Sequence, residues 1–95
     1  MKLRILHLED SVMKHTSISR VIKNAVPAEI DWVTDVASGI EKIDEAISCG
    51  NPYDLAITDM HYPLSPRTKA DWGAGDFFVE VVKQRYERLP VIISK

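Results

Sequence analysis

The sequence has few of the features that mark several large classes of protein. Its single cysteine, Cys49, allows neither an intrachain disulfide nor a cysteine-based zinc site, which fits a reducing compartment. No apolar run approaches the roughly 20 residues that span a bilayer. The apolar start of the chain is interrupted by His7, Glu9 and Asp10 before the core of a signal peptide is complete. We therefore expect a cytoplasmic protein that does not associate with a membrane.

Neither sign of charge dominates the chain. Lys and Arg number 12 and Asp and Glu number 14, which gives a formal net charge of −2. Such a balance provides no broad positive field to attract nucleic acid, and we expect no direct binding to it. The glycine-rich motifs that bind nucleotide phosphates and dinucleotides are also absent, which argues against nucleotide hydrolysis and hydride transfer.

Short apolar runs alternate with segments of helical periodicity along the whole chain. The runs predict four strands, at residues 3–8, 30–36, 55–58 and 89–94. Apolar spacing and capping residues predict three helices, which lie between Ser11 and Pro27, between Ser38 and Gly50, and from Phe77 to about Arg88. The start of the second helix is placed at a capping box formed by Ser38 and Glu41.

Strands that alternate with helices favour parallel βαβ units and an α/β fold. We expect a doubly wound parallel sheet with the strand order 2-1-3-4, in which the first and third strands are neighbours. A connection of unusual length follows the third strand, at about residues 64–74, and long connections of this kind are often functional. Its Arg67 and Lys69 could bring a cation over the end of that strand, although a solvated loop charge is the commoner role.

Acidic residues stand at the carboxyl ends of the first and third predicted strands. Glu9 and Asp10 follow the first strand, and Asp59 follows the third. Ligands of open parallel sheets bind at this edge, so we expect the three side chains to converge. Three carboxylates in one place repel one another unless a hard cation shares their charge, and Mg²⁺ is the natural candidate. An aspartate in such a site can attack a phosphoryl donor.

The acids and the histidines also have purely structural interpretations. Solvated acids at strand ends are the usual fate of any single Asp or Glu, but a pair after one strand and a third after its neighbour favour a site. His7 and His15 have no second histidine or cysteine at ligand spacing, so we expect surface or core-edge histidines.

Four segments together resemble the successive signatures of one protein family. They are residues 4–11 (RILHLEDS), residues 54–63 (DLAITDMHYP), Gly75 before a Phe-rich helix, and residues 89–94 (LPVIIS). The chain resembles the receiver domains of two-component response regulators over essentially all of residues 1–95, with the segment at about 64–74 as an insertion. The resemblance implies a single domain with a flavodoxin-like fold that lacks the family's final helix, strand and helix.

The resemblance also implies roles for individual residues. Asp59 would be the phosphoacceptor and Asp10 a direct Mg²⁺ ligand, with Glu9 acting directly or through water. His61 would lend its backbone carbonyl to the metal, and Ser94 would bond the phosphoryl group in the active state. The family's usual lysine follows a fifth strand, and Lys95 does not occupy that place.

Three functions are compatible with these residues. The first, implied by the resemblance, is a signalling switch rather than an enzyme, in which a sensor histidine kinase or a phosphotransfer protein donates a phosphoryl group to Asp59. The alternative is a degenerate receiver that acts as a phosphorylation-independent interaction and dimerisation module. The third is a phosphatase of the haloacid-dehalogenase type, which expects a second Asp where this chain has His61.

The resemblance has a consequence for assembly as well. Parallel strands are apolar on both faces and must be covered on both. The first helix alone would cover one face, and the fourth strand would be an apolar edge. We therefore expect a homodimer that buries the uncovered sheet face or pairs the fourth strands.

Overall fold

The computed structural model of the chain describes residues 2–59, 62–63, 70–71 and 74–93. Its strands are β1 (Leu3–Leu8), β2 (Ala28–Val33), β3 (Leu55–Thr58), β4 (Tyr62–Pro63), β5 (Ala70–Asp71) and β6 (Val91–Ile93). Its helices are α1 (Val12–Ala25), α2 (Val36–Ser48) and α3 (Ala74–Arg85). Within the described residues, no helix has the length and apolar character needed to cross a membrane. The alternation of strand and helix confirms the predicted α/β class.

The main sheet has four strands, all parallel, in the order β2-β1-β3-β6. This is the predicted order 2-1-3-4, with β6 as the fourth strand. Because β1 lies between β2 and β3, Leu8 is paired with both Val33 and Thr58. The carboxyl ends of three neighbouring strands therefore meet at one edge of the sheet.

A second, smaller sheet interrupts the predicted long connection. Strand β5 lies inside the segment at about residues 64–74 and pairs antiparallel with β4, with Tyr62 opposite Asp71. A two-residue strand is too short to produce a visible alternation in the sequence. Residues 64–69, with Arg67 and Lys69, lie outside the described part of the chain.

The predicted boundary between β2 and α2 was wrong. The strand begins at Ala28 and ends at Val33, and the helix is capped by Asp35, not by Ser38. The Asp35 carboxylate accepts hydrogen bonds from the Ser38 amide (2.8 Å) and the Ser38 hydroxyl (2.7 Å). A buried aspartate thus satisfies the first turn, and Val36, predicted to end the strand, begins the helix.

The last helix and strand are also shifted from their predicted bounds. Helix α3 begins at Ala74 and ends at Arg85, earlier at both ends than predicted, and β6 begins only at Val91. Leu89 belongs to a turn, in which its amide donates to the Tyr86 carbonyl at 3.0 Å. Pro90 has no amide hydrogen and joins the sheet only through its carbonyl, which accepts from Ala56 at 3.0 Å.

The two faces of the main sheet are covered unequally. One face carries the hydrophobic core, in which Leu6, Leu8 and Ala56 pack against α2 and α3. The opposite face carries α1, which has no buried residue and whose Val21 is 68% exposed. The thinner layer on the α1 side leaves apolar surface in contact with solvent.

Candidate functional site

The backbone of the sheet places Glu9 and Asp59 side by side. The Glu9 amide donates to the Val33 carbonyl at 3.0 Å, and the Asp59 amide donates to the Leu8 carbonyl at 3.1 Å. These bonds extend the pairing of β1 by one residue beyond each strand, so the side chains leave the same edge. As a result, carboxylate oxygens of Glu9, Asp10 and Asp59 all lie within 4.8 Å of one another. The structure brings together the three acids singled out in the sequence.

The three acids differ in their contact with solvent. Glu9 is 1% exposed, the Asp59 side chain is 13% exposed, and Asp10 is exposed. The cluster therefore has a buried side at Glu9 and an open side at Asp10. A ligand that needs water as well as carboxylates would enter from the open side.

The environment of Glu9 favours its neutral form. Burial raises the pKa of Glu9, and the negative charges of Asp59 and Asp10 raise it further. The Ser11 amide, which donates to Glu9 Oε2 at 3.1 Å, and the charge of Lys14 act in the opposite direction. The acids thus repel one another in the way that makes a cation favourable at this place.

The first turn of α1 lies against the acids. Ser11 is the N-cap of the helix and its hydroxyl accepts from the Lys14 amide at 3.4 Å. Lys14 places its ammonium 3.5 Å from Asp59 Oδ2. The N-terminal end of a helix also carries a partial positive charge. Both features make the open side of the cluster more favourable for an anion.

Sequence reasoning missed Lys14. The position carried a usable signal, because a basic residue three places after the cap of a helix must lie in its first turn, close to the strand end that precedes the helix. Its long, flexible side chain gave no indication of which neighbour it would reach. The pairing with Asp59 depends on the strand order, which sets β3 beside β1.

A cluster of rings supports the buried side of the site. His7 and His15 are joined through their Nδ1 atoms at 2.8 Å, and the His15 ring stacks on Trp32 with 4.4 Å between centroids. The Trp32 indole donates to the Glu9 carbonyl at 2.6 Å. His7 is fully buried, so the expected surface or core-edge position was wrong for it. The rings tie α1 and β2 to the backbone that carries Glu9.

His7 behaves as a neutral side chain in this setting. Burial lowers the pKa of His7 to about 4, and His15 contributes in the same direction, against the opposing effect of Asp59. Its Nε2 atom is buried and has no hydrogen-bond partner among the described residues. At neutral pH, His7 therefore adds no positive charge beside the acids.

The donor set fits a hard divalent cation. All three side chains offer carboxylate oxygen, the ligand type that Mg²⁺ and Ca²⁺ prefer. Mg²⁺ keeps several water molecules and is usually held by one or two carboxylates, which suits a cluster with one exposed member. When all three acids are ionised, Lys14 offsets one negative charge and a divalent cation would offset the other two.

Two of the residues named from the sequence lie outside the described part of the chain. They are His61, expected to offer a carbonyl to the metal, and Ser94, expected to bond a phosphoryl group. Their roles stay predictions.

The chain was also compared with known proteins. No protein-family model matches it, and no curated protein does. The case for the site therefore depends on the sequence pattern and on the arrangement of Glu9, Asp10, Asp59 and Lys14.

Proposed function

We propose that the chain is a phosphorylation switch of the receiver type, with Asp59 as the acceptor of the phosphoryl group. One observation carries the proposal. Three carboxylates converge at the carboxyl edge of two neighbouring parallel strands, β1 and β3, with the acceptor partly open to solvent. Active sites of open parallel sheets lie at such an edge, and the strand order is that of the flavodoxin-like fold implied by the resemblance.

The three acids have different roles in metal binding and in phosphoryl transfer. Glu9, Asp10 and Asp59 would hold Mg²⁺, with the backbone carbonyl of His61 as the further ligand that the resemblance implies. When bound, the cation would supply positive charge to the phosphoryl oxygens. Burial of Glu9 against the ring cluster fixes its carboxylate, whereas the exposed Asp10 leaves room for water and the donor.

Phosphoryl transfer itself requires one nucleophile. A carboxylate oxygen of Asp59 attacks phosphorus, and the bond from phosphorus to the donor breaks, with its electron pair leaving on the donor. For a histidine kinase or phosphotransfer protein, the donor atom is an imidazole nitrogen. The product is an aspartyl phosphate, which adds a charge of roughly −1.5 to −2 in place of the carboxylate charge.

The added charge provides the signal. It develops beside the first turn of α1 and at the start of the segment that leads to β4, and Ser94 is expected to bond the phosphoryl group there. A partner that reads this surface would distinguish the two states. The alternative function, an association module that needs no phosphate, uses the same fold without this chemistry.

Chemical trapping tests the proposal at the level of the residue. The native chain is incubated with acetyl phosphate and Mg²⁺ and then reduced with borohydride, which converts an aspartyl phosphate to homoserine. Peptide mass spectrometry should find homoserine at position 59 and nowhere else. Conversion at Glu9 or Asp10, or none at any acid, would exclude Asp59 as the acceptor and favour the association module.

A further inference from the structure

We propose that Lys14 is the cation that pairs with the phosphoryl group on Asp59, and that it holds the Asp59 carboxylate before transfer. The inference rests on the proposed function, because it assigns a role at the same site. The resemblance assigned no role to this residue.

The position of the ammonium supports this assignment. Lys14 Nζ lies 3.5 Å from Asp59 Oδ2, and the Lys14 side chain is 62% exposed. The ammonium therefore approaches Asp59 from the solvent side. A phosphoryl group on Asp59 must lie on that side as well, because Glu9 is buried and the ring cluster closes the other.

Lys14 lies beside the cluster of acids. Among the described residues, its ammonium forms an ion pair with Asp59, one of the three acids. Lys14 thus offers positive charge to an anion at this site.

The local backbone fixes where the lysine begins. Ser11 links Glu9 to Lys14, because its amide donates to the Glu9 carboxylate and its hydroxyl accepts from the Lys14 amide. The four-carbon stem beyond this anchor is flexible, and a lysine ammonium binds as a compact point charge. It can move from the carboxylate to a phosphoryl oxygen without a shift of α1.

The charge balance explains why a lysine is useful there. Phosphorylation replaces one carboxylate charge by roughly −1.5 to −2, next to Glu9 and Asp10. A divalent cation does not offset this total alone. Lys14 supplies the next positive charge in the same place and transfers no proton in doing so. It should therefore stabilise the developing charge on the phosphoryl oxygens during attack as well as the product.

Three variants separate this role from a structural one. Lys14→Gln removes the charge and keeps much of the length, and Lys14→Arg keeps the charge. Lys23→Gln is the matched control, because it removes a lysine from the last turn of the same helix. Each protein is titrated with Mg²⁺ alone by calorimetry, then with beryllium trifluoride in the presence of Mg²⁺, and its rate of labelling by acetyl phosphate is measured.

Lys14→Gln should lower the affinity for beryllium trifluoride and the labelling rate by roughly tenfold, because a charge-assisted pair with the phosphoryl group is lost. Its Mg²⁺ affinity should stay equal or rise, since a competing cation is removed. Lys14→Arg should recover most of the loss, and Lys23→Gln should match the native chain.

The results that contradict the inference are distinct from one another. If the native chain is labelled and Lys14→Gln is labelled at the same rate, the role of Lys14 is rejected and the proposed function stays in place. An equal loss of Mg²⁺ affinity and of beryllium trifluoride affinity in Lys14→Gln would make Lys14 a support of the metal site instead. Absence of labelling in the native chain would reject the proposed function and this inference together.

Discussion

Individual residues at the carboxyl edge of the sheet owe their properties to burial. Glu9 and Asp10 are adjacent in sequence, yet the first is buried and the second exposed. The direction of a side chain from the strand end decides which of two like residues is fixed and which remains accessible. An exposed carboxylate can be removed without leaving an unpaired buried group, so it is the better place to test metal binding.

Substitution of Asp10 should weaken Mg²⁺ binding. In Asp10→Ala the cluster loses its accessible ligand, and we expect the affinity for Mg²⁺, measured by calorimetry, to fall by about tenfold or more, the scale seen when metal sites lose a supporting group. Glu29→Ala removes an exposed acid at the opposite end of the sheet and serves as the control. Equal affinity in Asp10→Ala and the control would exclude Asp10 as a ligand.

His7 should make stability depend on pH. Its pKa is about 4 in the folded chain against 6.5 as the ordinary value, so the unfolded chain binds this proton more readily between those limits. The free energy of unfolding should therefore fall as pH falls from 6.5 to about 4, by on the order of 2–3 kcal/mol. Glu9, whose pKa is raised, contributes with the opposite sign, as stability lost when pH rises through its folded pKa.

The variant His7→Leu isolates the histidine term, because Glu9 and His15 are present in both proteins. Urea unfolding at several pH values, without Mg²⁺, should show a smaller decline of stability between pH 6.5 and 4 in the variant than in the native chain. Parallel curves for the two proteins would show that the buried imidazole does not resist protonation.

Helices and strands in this chain are bounded by capping groups more than by apolar patterns. Residues 34 to 36 continue the alternation of a strand in sequence, but the Asp35 carboxylate bonds to both the amide and the hydroxyl of Ser38. A cap that satisfies two donors outweighs one more pair of strand residues. The element boundary is therefore decided by hydrogen bonds that a hydropathy pattern does not record.

The two possible caps of α2 can be compared directly. Asp35→Ala should lower the free energy of unfolding by about 1–2 kcal/mol, the usual cost of losing an N-cap. Ser38→Ala should cost at most about 1 kcal/mol, since one hydrogen bond to Asp35 is lost and the cap remains. Glu41→Ala, which removes the other half of the expected capping box, should be close to neutral. If Ser38→Ala lowers the free energy of unfolding more than Asp35→Ala does, the capping box of Ser38 and Glu41 predicted from the sequence would be supported instead.

The order of the helices and strands could be predicted from the sequence better than their ends or their side-chain contacts. Apolar periodicity was enough for β1, β3 and the parallel order, because strands buried on both faces read as apolar runs. The predicted strand ends and strand order were also enough to predict that Glu9, Asp10 and Asp59 lie at one edge of the sheet. The Lys14 pair and the contact between His7 and His15 depend on how side chains from α1 cross to the sheet, which no local pattern specifies.

At the scale of the whole molecule, the uneven cover of the sheet is the main feature. On the described residues, apolar side chains are exposed on the α1 side and on the edge strand, where Ile92 is 51% exposed and Ile93 41% exposed. Contiguous apolar surface on a soluble protein usually marks an interface. The expected homodimer through this face or through β6 stays a prediction.

Analytical ultracentrifugation across a wide range of concentrations tests the assembly. The native chain should sediment at dimer mass at the upper end of the range, and Ile92→Glu should shift the equilibrium toward monomer. Ile47→Glu places the same charge at another exposed isoleucine, 49% exposed on α2, and should leave the dimer intact. A folded native chain that stays at monomer mass throughout would reject the dimer.

Phosphorylation of Asp59 is tested most directly by intact mass. The native chain and Asp59→Asn are incubated with acetyl phosphate, each with Mg²⁺ and again with the metal chelated. We expect the native chain to gain the mass of one phosphoryl group with Mg²⁺ and little without it, and Asp59→Asn to gain none in either case. A native chain that gains no mass at saturating Mg²⁺, or a variant that gains as much as the native chain, would contradict the assignment of Asp59 as the acceptor.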